Sequence, residues 1–136
     1  MNKAAFQLIG YRFDKVNLDF SNITNDINYY IEFSPSGKYS ETEGVFMLTF
    51  VFNASLDEFN EAVISIQCSA GFKFNEPIPF NEIPDYFYPN SIAIIVPYIR
   101  AFVSTVSLQA NIKPIILPTL NLIELRENLK NSTVVE

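Results

Sequence analysis

Hydrophobic and polar residues alternate along residues 62–74, and this alternation predicts a β-strand with one buried face. Its apolar face carries Ala62, Ile64, Ile66, Cys68, Ala70, Phe72 and Phe74. Residues 45–53 are apolar on both faces, which is typical of a strand in the middle of a sheet or of one whose second face is covered. Both stretches are therefore predicted strands of a β-sheet.

Two further strands are predicted nearer the start of the chain. In residues 5–20, Ile9, Tyr11 and Phe13 share one face, and Val16, Leu18 and Phe20 continue the alternation with its phase shifted by one. A β-bulge near residues 14–15 would produce this shift, because one extra residue moves every later side chain to the other face. Residues 27–33 place Ile27, Tyr29, Ile31 and Phe33 on one face, and residues 34–44 are predicted to form a loop or an irregular hairpin end.

Residues 86–112 contain one long predicted helix, capped near Asn90 or Ser91, that is apolar on nearly all sides. One face carries Ile92, Ile95, Val96, Ile99, Val103 and Val106 at steps of three and four residues, and Arg100 is the only charged residue of the stretch. A chain of 136 residues has limited means to surround such a helix, so other copies of the chain are expected to cover part of it. The predicted contacts between copies are Ile95, Ile99, Phe102, Val103 and Val106. A transmembrane span is the alternative, and Arg100, Pro97 and an apolar run short of ~20 residues disfavour it.

The remaining pattern predicts an extended segment at residues 113–120 and a short helix at residues 122–129, with Asn121 as its N-cap. Residues 131–136 are predicted to be frayed. Four strands with short connections followed by helices indicate the α+β class, with a four-stranded antiparallel sheet, a long helix and a short helix. The length fits one domain over residues 1–136.

Between the last predicted strand and the long helix lies the crossing segment, defined as residues 75–90. Pro77, Pro79, Pro84 and Pro89 keep it extended and remove donors for a sheet ladder. It nevertheless carries Ile78, Phe80, Ile83, Tyr86, Phe87 and Tyr88. These side chains either pack on the core of the protein or line a site for apolar ligands, and both interpretations stay open from the sequence.

Composition excludes several kinds of chemistry. The chain has no His and one Cys, so zinc sites of the ordinary ligand type and nucleophiles that depend on His are not expected, and no metal or cofactor is predicted. The net charge is −6, and residues 1–85 carry twelve acidic and five basic side chains, which disfavours nucleic-acid binding. The first residues lack the pattern of a signal peptide, so a cytoplasmic location is expected.

The second half of the chain resembles the SecB family of protein-export chaperones. The resemblance is carried by Pro89–Asn90, Pro97–Tyr98 with Arg100, residues 114–118 between two prolines, and residues 121–125. It implies a homotetramer built as a dimer of dimers, with helices sandwiched between sheets. It also implies a protein without enzymatic activity that holds unfolded precursor proteins and passes them to the SecA motor. Some relatives instead protect the antitoxin of a toxin–antitoxin pair.

The leading prediction is therefore an ATP-independent holdase that binds unfolded polypeptides for export, with SecA or an antitoxin as a possible further partner. The predicted peptide-binding residues are Phe72, Phe74, Ile78, Phe80, Ile83, Tyr86, Phe87 and Tyr88, with Leu122 and Leu125 as the opposing wall. A hot-dog-like acyl-binding protein or enzyme is the alternative from another class. Its obstacle is the order of elements, because here the four strands precede the helix.

Overall fold

The computed structural model describes residues 2–24, 28–58 and 61–136. Its five strands are β1 (Phe6–Leu18), β2 (Tyr30–Ser40), β3 (Val45–Ser55), β4 (Ala62–Phe74) and β5 (Thr133–Val135). They form one sheet in the order β1-β4-β3-β2-β5. The four long strands pair antiparallel, as the sequence predicts, and β5 adds a short parallel strand at the edge.

Strand β1 keeps its apolar side chains on the helix-covered face through two bulges. The register against β4 shifts between Phe13 and Lys15, which confirms the predicted bulge. A second shift lies between Leu8 and Gly10, and it moves Ile9 to the opposite face, where its side chain approaches Gly71. The prediction that Ile9 shares a face with Tyr11 is therefore wrong, because a second inserted residue separates them.

The predicted loop over residues 34–44 is wrong for most of its length. Strand β2 continues through Pro35 and Gly37 to Ser40, and it stays paired with β3 without a shift in register. Tyr39 is fully buried, and its hydroxyl donates a 2.6 Å hydrogen bond to the carbonyl of Ile78. Pro35 is compatible with strand β2 because the outer edge of this strand has no long partner strand. The predicted residue Ile27 lies outside the described residues.

Helix α1 (Phe87–Gln109) crosses one face of the sheet and includes Pro97, as expected. It begins at Phe87, ahead of the predicted N-cap near Asn90, because a proline at Pro89 is tolerated in the first turn, where the backbone N–H has no partner within the helix. Its buried face includes Ile92, Ile95, Ile99 and Val103. Ile94, Tyr98 and Leu108 stay exposed on the other face, so one subunit covers only part of this apolar helix.

Helix α2 (Leu122–Asn131) follows the extended segment and packs along β2 and α1. The Asn121 side chain accepts a 3.2 Å hydrogen bond from the backbone N–H of Glu124, which confirms the predicted N-cap. The chain then enters β5, which pairs with residues 37–39 of β2. The prediction of a frayed segment after residue 131 is therefore wrong, because β2 continues far enough to offer β5 a pairing edge.

Candidate functional site

The predicted peptide-binding residues divide into buried and accessible groups. Six of them lie in the hydrophobic core of the subunit, namely Phe72, Phe74, Ile78, Ile83, Phe87 and Tyr88. The ring of Phe87 lies 4.8 Å from those of Phe6 and Phe46, measured between ring centroids. Burial raises the pKa of Tyr88 to about 12. In the folded subunit, these side chains support the sheet–helix contact and are closed to a ligand.

The accessible members are Phe80, Tyr86 and Leu122. Phe80 is half-buried beside Tyr39, and its N–H donates a 2.8 Å hydrogen bond to the carboxylate of Glu41. Tyr86 is exposed at the start of α1, and Leu122 is half-buried on α2. Leu125 is buried, yet it lines a depression beside β2. Leu125 belongs to the same core cluster as the buried six, and Phe80 and Leu122 pack against that cluster. The role of these four side chains in peptide binding stays a prediction.

Strand β2 presents an incompletely paired outer edge. Successive residues of a strand direct their peptide groups to opposite sides. The N–H of Gly37 donates to Ser132, and the carbonyl of Tyr39 accepts from Glu136, so the odd-numbered residues face outward. Because β2 has no register shift, Ile31 and Phe33 face outward as well. Within the described parts of the chain, no other segment forms a backbone hydrogen bond with these two residues.

A groove lined by both polar and apolar side chains, here called the edge groove, runs along this outer edge. It consists of two depressions of about 720 and 380 Å³ that share Ile31. Its strand side comprises Tyr29, Ile31 and Phe33, and its far side comprises Pro114, Ile115, Ile116, Pro118, Leu120 and Leu125. Free backbone donors and acceptors therefore lie beside a row of apolar side chains.

Few charges surround the edge groove. Lys113 lines one depression, and Glu32 and Glu124 line the other. Burial raises the pKa of Tyr29. The groove can thus offer apolar contacts and main-chain hydrogen bonds, with little charge selection.

Reactive groups are scarce in the described residues. Cys68 is fully buried in β4, and burial raises the pKa of its thiol to about 11. Among residues 2–24, 28–58 and 61–136, no group of three His, Cys, Asp or Glu side chains could hold a metal ion. The carboxylate of Asp14 accepts a 2.8 Å hydrogen bond from Ser69 and a 3.3 Å one from Gln67, which is a surface arrangement on the sheet.

A second apolar surface, here called the helix–β1 surface, lies on the open side of α1. Tyr98 stacks on Tyr11 and Phe102 stacks on Phe13, each pair with ring centroids 4.3 Å apart. Exposed apolar side chains around these pairs are Val16, Leu18, Ile94 and Leu108.

Helix α1 also raises the question of a membrane span. By length and composition it could cross a membrane, a property that the core helices of soluble proteins share. Nine of its residues are buried within the subunit. Burial within one subunit therefore accounts for part of the apolar character of α1.

The predicted contacts between copies lie mostly on the opposite side of α1 from this surface. Ile95, Ile99 and Val103 have 0% exposure within the subunit, while Phe102 and Val106 are half-buried. The assignment of these five residues to an interface stays a prediction. A second copy can reach the exposed side chains of the helix–β1 surface without opening the subunit.

Sequence comparisons with known proteins give a match over part of the chain. No family model matches the chain. It is 46% identical over 41 residues to an uncharacterized protein from Methanocaldococcus jannaschii, a match that covers 30% of this chain and 26% of that protein. The chain therefore spans about a quarter of the length of this curated relative.

The structure itself belongs to the class of α+β folds in which an open mixed sheet of five strands precedes a long and a short helix. It superposes on a SecB-like chaperone from Mycobacterium tuberculosis, solved in complex with a ChAD peptide from the HigA1 antitoxin, with a TM-score of 0.68. The superposition covers 87% of this chain and 91% of the other at 18% sequence identity. The protein has a SecB-like fold, as the sequence resemblance predicts.

The edge groove is the feature that sequence reasoning missed. Residues 34–40 have the turn-forming composition Ser-Pro-Ser-Gly, which obscures the alternation that continues from Ile31 and Phe33 to Tyr39. The overlooked signal was Tyr39, which falls on the same face of the strand as Phe33. Residues 133–135, Thr-Val-Val, are β-branched and could also have indicated a strand.

Proposed function

We propose that this protein is an ATP-independent holdase chaperone that binds extended, apolar segments of non-native polypeptides. The observation that carries the proposal is the edge groove, in which outward-facing backbone groups of Ile31 and Phe33 lie beside apolar walls. A folded protein hides its apolar segments and its strand edges, whereas an unfolded one exposes both. Selection for non-native chains follows from that difference.

The mechanism joins two kinds of contact. The client backbone pairs with β2 as an added strand, and this pairing is independent of client sequence. Alternate client side chains enter the groove between Phe33 on one side and Leu120 on the other, which favours apolar residues at every second position. Binding the unfolded state in this way keeps it from aggregating without ATP.

Two partner classes fit this proposal. One is a precursor polypeptide held for export through the Sec translocase, with SecA as the receiving motor. The other is an antitoxin segment, and it draws support from the similar Mycobacterium tuberculosis chaperone, which was solved with an antitoxin peptide. Both partners are extended polypeptides, so the same edge groove serves either one. Titration of a precursor segment and an antitoxin segment side by side distinguishes them by affinity.

We further propose that the protein works in the cytoplasm as a homotetramer, a dimer of dimers. Support comes from the helix–β1 surface, where Ile94, Tyr98 and Leu108 remain exposed on an otherwise buried helix. Contiguous apolar surface of this kind marks an interaction site on a soluble protein. A second copy placed there would bring the helices of two subunits together.

The test of the holdase proposal is a pair of substitutions at Ile31. Ile31→Ala shortens the side chain and keeps the N–H, whereas Ile31→Pro also removes the N–H. This N–H faces away from β3, and Pro35 already occupies an equivalent outward position in the same strand, so Ile31→Pro is expected to fold. Loss of one hydrogen bond costs about 0.5–1.5 kcal/mol of binding free energy. We therefore expect Ile31→Pro to bind an unfolded client about two- to tenfold more weakly than Ile31→Ala.

The measurement is a titration with a fluorescent unfolded client, together with suppression of aggregation of a reduced, denatured substrate. Glu32→Pro is the matched control, because the N–H of Glu32 points toward β3 and its loss should destabilise the fold. Equal client affinity for Ile31→Ala and Ile31→Pro would show that clients do not pair with this edge.

A further inference from the structure

Strand β5 occupies the same row of outward-facing backbone groups that forms the edge groove. The N–H of Gly37 donates to the carbonyl of Ser132, and the carbonyl of Tyr39 accepts from the N–H of Glu136. Ile31 and Phe33 face outward from the same strand with no register shift between the two halves. Within the described residues, the outer edge of β2 is therefore open at Ile31 and Phe33, interrupted at the buried Pro35, and covered by β5 from Gly37 to Tyr39.

The covering segment is held by few contacts. It pairs with only three residues of β2, from Gly37 to Tyr39. Val134 is 64% exposed and Val135 is 40% exposed, so β5 buries little apolar surface. Lys38 and Glu136 form a 2.8 Å ion pair, but both side chains are largely exposed, and such pairs contribute little to stability.

The length of the ladder sets how much client it can accept. The lining of the groove extends from Ile31 to Ser34, and Pro35 beyond it is buried and has no N–H. At about 3.3 Å per residue, this open part holds a segment of about four to five residues. A longer segment that continues along β2 meets β5 at Gly37, whose N–H donates a 3.3 Å hydrogen bond to the carbonyl of Ser132.

We propose that β5 is a displaceable strand that covers the second half of the client-binding edge and leaves when a long extended polypeptide binds. The inference rests on the holdase function proposed above and adds a length threshold to it. Segments of about five residues bind with β5 in place. Segments that pass Ser36 replace the hydrogen bonds of β5 with their own and gain the full edge.

The experiment locks β5 with a disulfide. Lys38 and Val134 are paired neighbours and both are exposed, so Lys38→Cys with Val134→Cys places two thiols at adjacent positions on parallel strands. The native Cys68 is fully buried and should not exchange with them. The oxidised protein is the locked form, and the same protein in dithiothreitol is its matched control.

Two synthetic peptides with alternating Leu and Thr serve as probes, one of about five residues and one of about twelve. We expect the short peptide to bind both forms equally and the long peptide to bind the locked form at least tenfold more weakly than the reduced form. A chain that ends at Asn131 should bind the long peptide more tightly than the full chain does.

Each other outcome is decisive. If the long peptide binds the locked and reduced forms equally, β5 is not displaced and the inference fails. If the lock weakens both peptides to the same degree, the disulfide acts on the open half of the edge, and the inference also fails. If neither peptide binds the reduced protein, the holdase proposal itself fails, so the two failures are distinguishable.

Discussion

Phe87 joins the sheet to the start of α1 through a cluster of aromatic side chains. Its ring centroid lies 5.0 Å from that of Phe74 and 5.8 Å from that of Phe72, and Tyr88 packs beside it. Close packing of this kind leaves a cavity when a ring is removed. The crossing segment thus contributes to the fold at Phe87, whereas Phe80 is half-buried at its surface.

We expect Phe87→Ala to lower the free energy of unfolding by about 3–5 kcal/mol, because it removes a fully buried ring and leaves a cavity. Phe80→Ala should cost clearly less, because its side chain is only partly buried. Urea denaturation followed by circular dichroism measures both values. Equal losses for the two variants would contradict the assignment of Phe87 to the core and Phe80 to the surface.

Cys68 reports the integrity of the same core. The thiolate is the reactive form, and burial raises the pKa of this thiol to about 11. We expect no reaction with a colorimetric thiol reagent at pH 8 in the native protein and one reactive thiol per chain in denaturant. Folding raises the pKa of the Cys68 thiol above its unfolded value of 9.0. The contribution of the protonated thiol to the free energy of unfolding is therefore present below pH 9.0 and is lost as pH rises through about 11. Rapid labelling of the native protein at pH 8 would show that β4 opens.

At the scale of elements, the regular alternation of β4 and the helix periodicity of α1 could be read from the sequence, because burial on one face leaves a repeating signal. The predicted boundaries of β4, residues 62–74, agree with the structure. Strand β2 could not be read to its end, because Pro35 and Gly37 favour turns locally and only pairing with β3 overrides that preference. Strand β5 pairs with Gly37–Tyr39 of β2. Because the sequence predicted a loop over those residues, it offered β5 no strand to pair with. The edge groove lies between the first half of β2 and residues 114–125, a contact that no sequence pattern indicated.

The two faces of α1 can be separated with neighbouring isoleucines. Ile95 is fully buried against the core, and Ile94 is 38% exposed on the helix–β1 surface. Ile95→Asp should unfold the protein or lower its free energy of unfolding by several kcal/mol, because it buries an unpaired carboxylate. Ile94→Asp should keep the melting temperature of the subunit near that of the unmodified protein and weaken association between copies.

Thermal melting and sedimentation measure the two effects. Ala93→Asp places the same charge at an exposed position about 100° around α1 from Ile94 and serves as a control for charge alone. If Ile94→Asp leaves the oligomer unchanged, the interface does not include this part of α1.

At the scale of the whole molecule, charge and apolar surface have different roles. The net charge of −6 gives a long-range attraction for basic polypeptides, while the edge groove itself carries few charges. Under the holdase proposal, the charge of the whole protein governs the encounter with a client, and the groove governs how long the client stays bound.

Salt should therefore act on the rate of binding. For a positively charged unfolded client, we expect the association rate to fall several-fold between about 50 and 300 mM salt, because screening shortens the range of the attraction. The dissociation rate should change much less, since contacts in the groove are apolar and main-chain. Stopped-flow fluorescence measures both rates, and a neutral client of equal length is the control. An association rate that does not depend on salt would exclude electrostatic attraction of clients by the net charge.

An open strand edge is also a template on which identical molecules can stack without limit. Pro35 interrupts the row of donors on β2, and β5 covers the stretch beyond it, so the open run is only about five residues long. Two copies that met along this edge would form few consecutive hydrogen bonds and would separate again. These two features thus limit the growth of the protein itself into fibres.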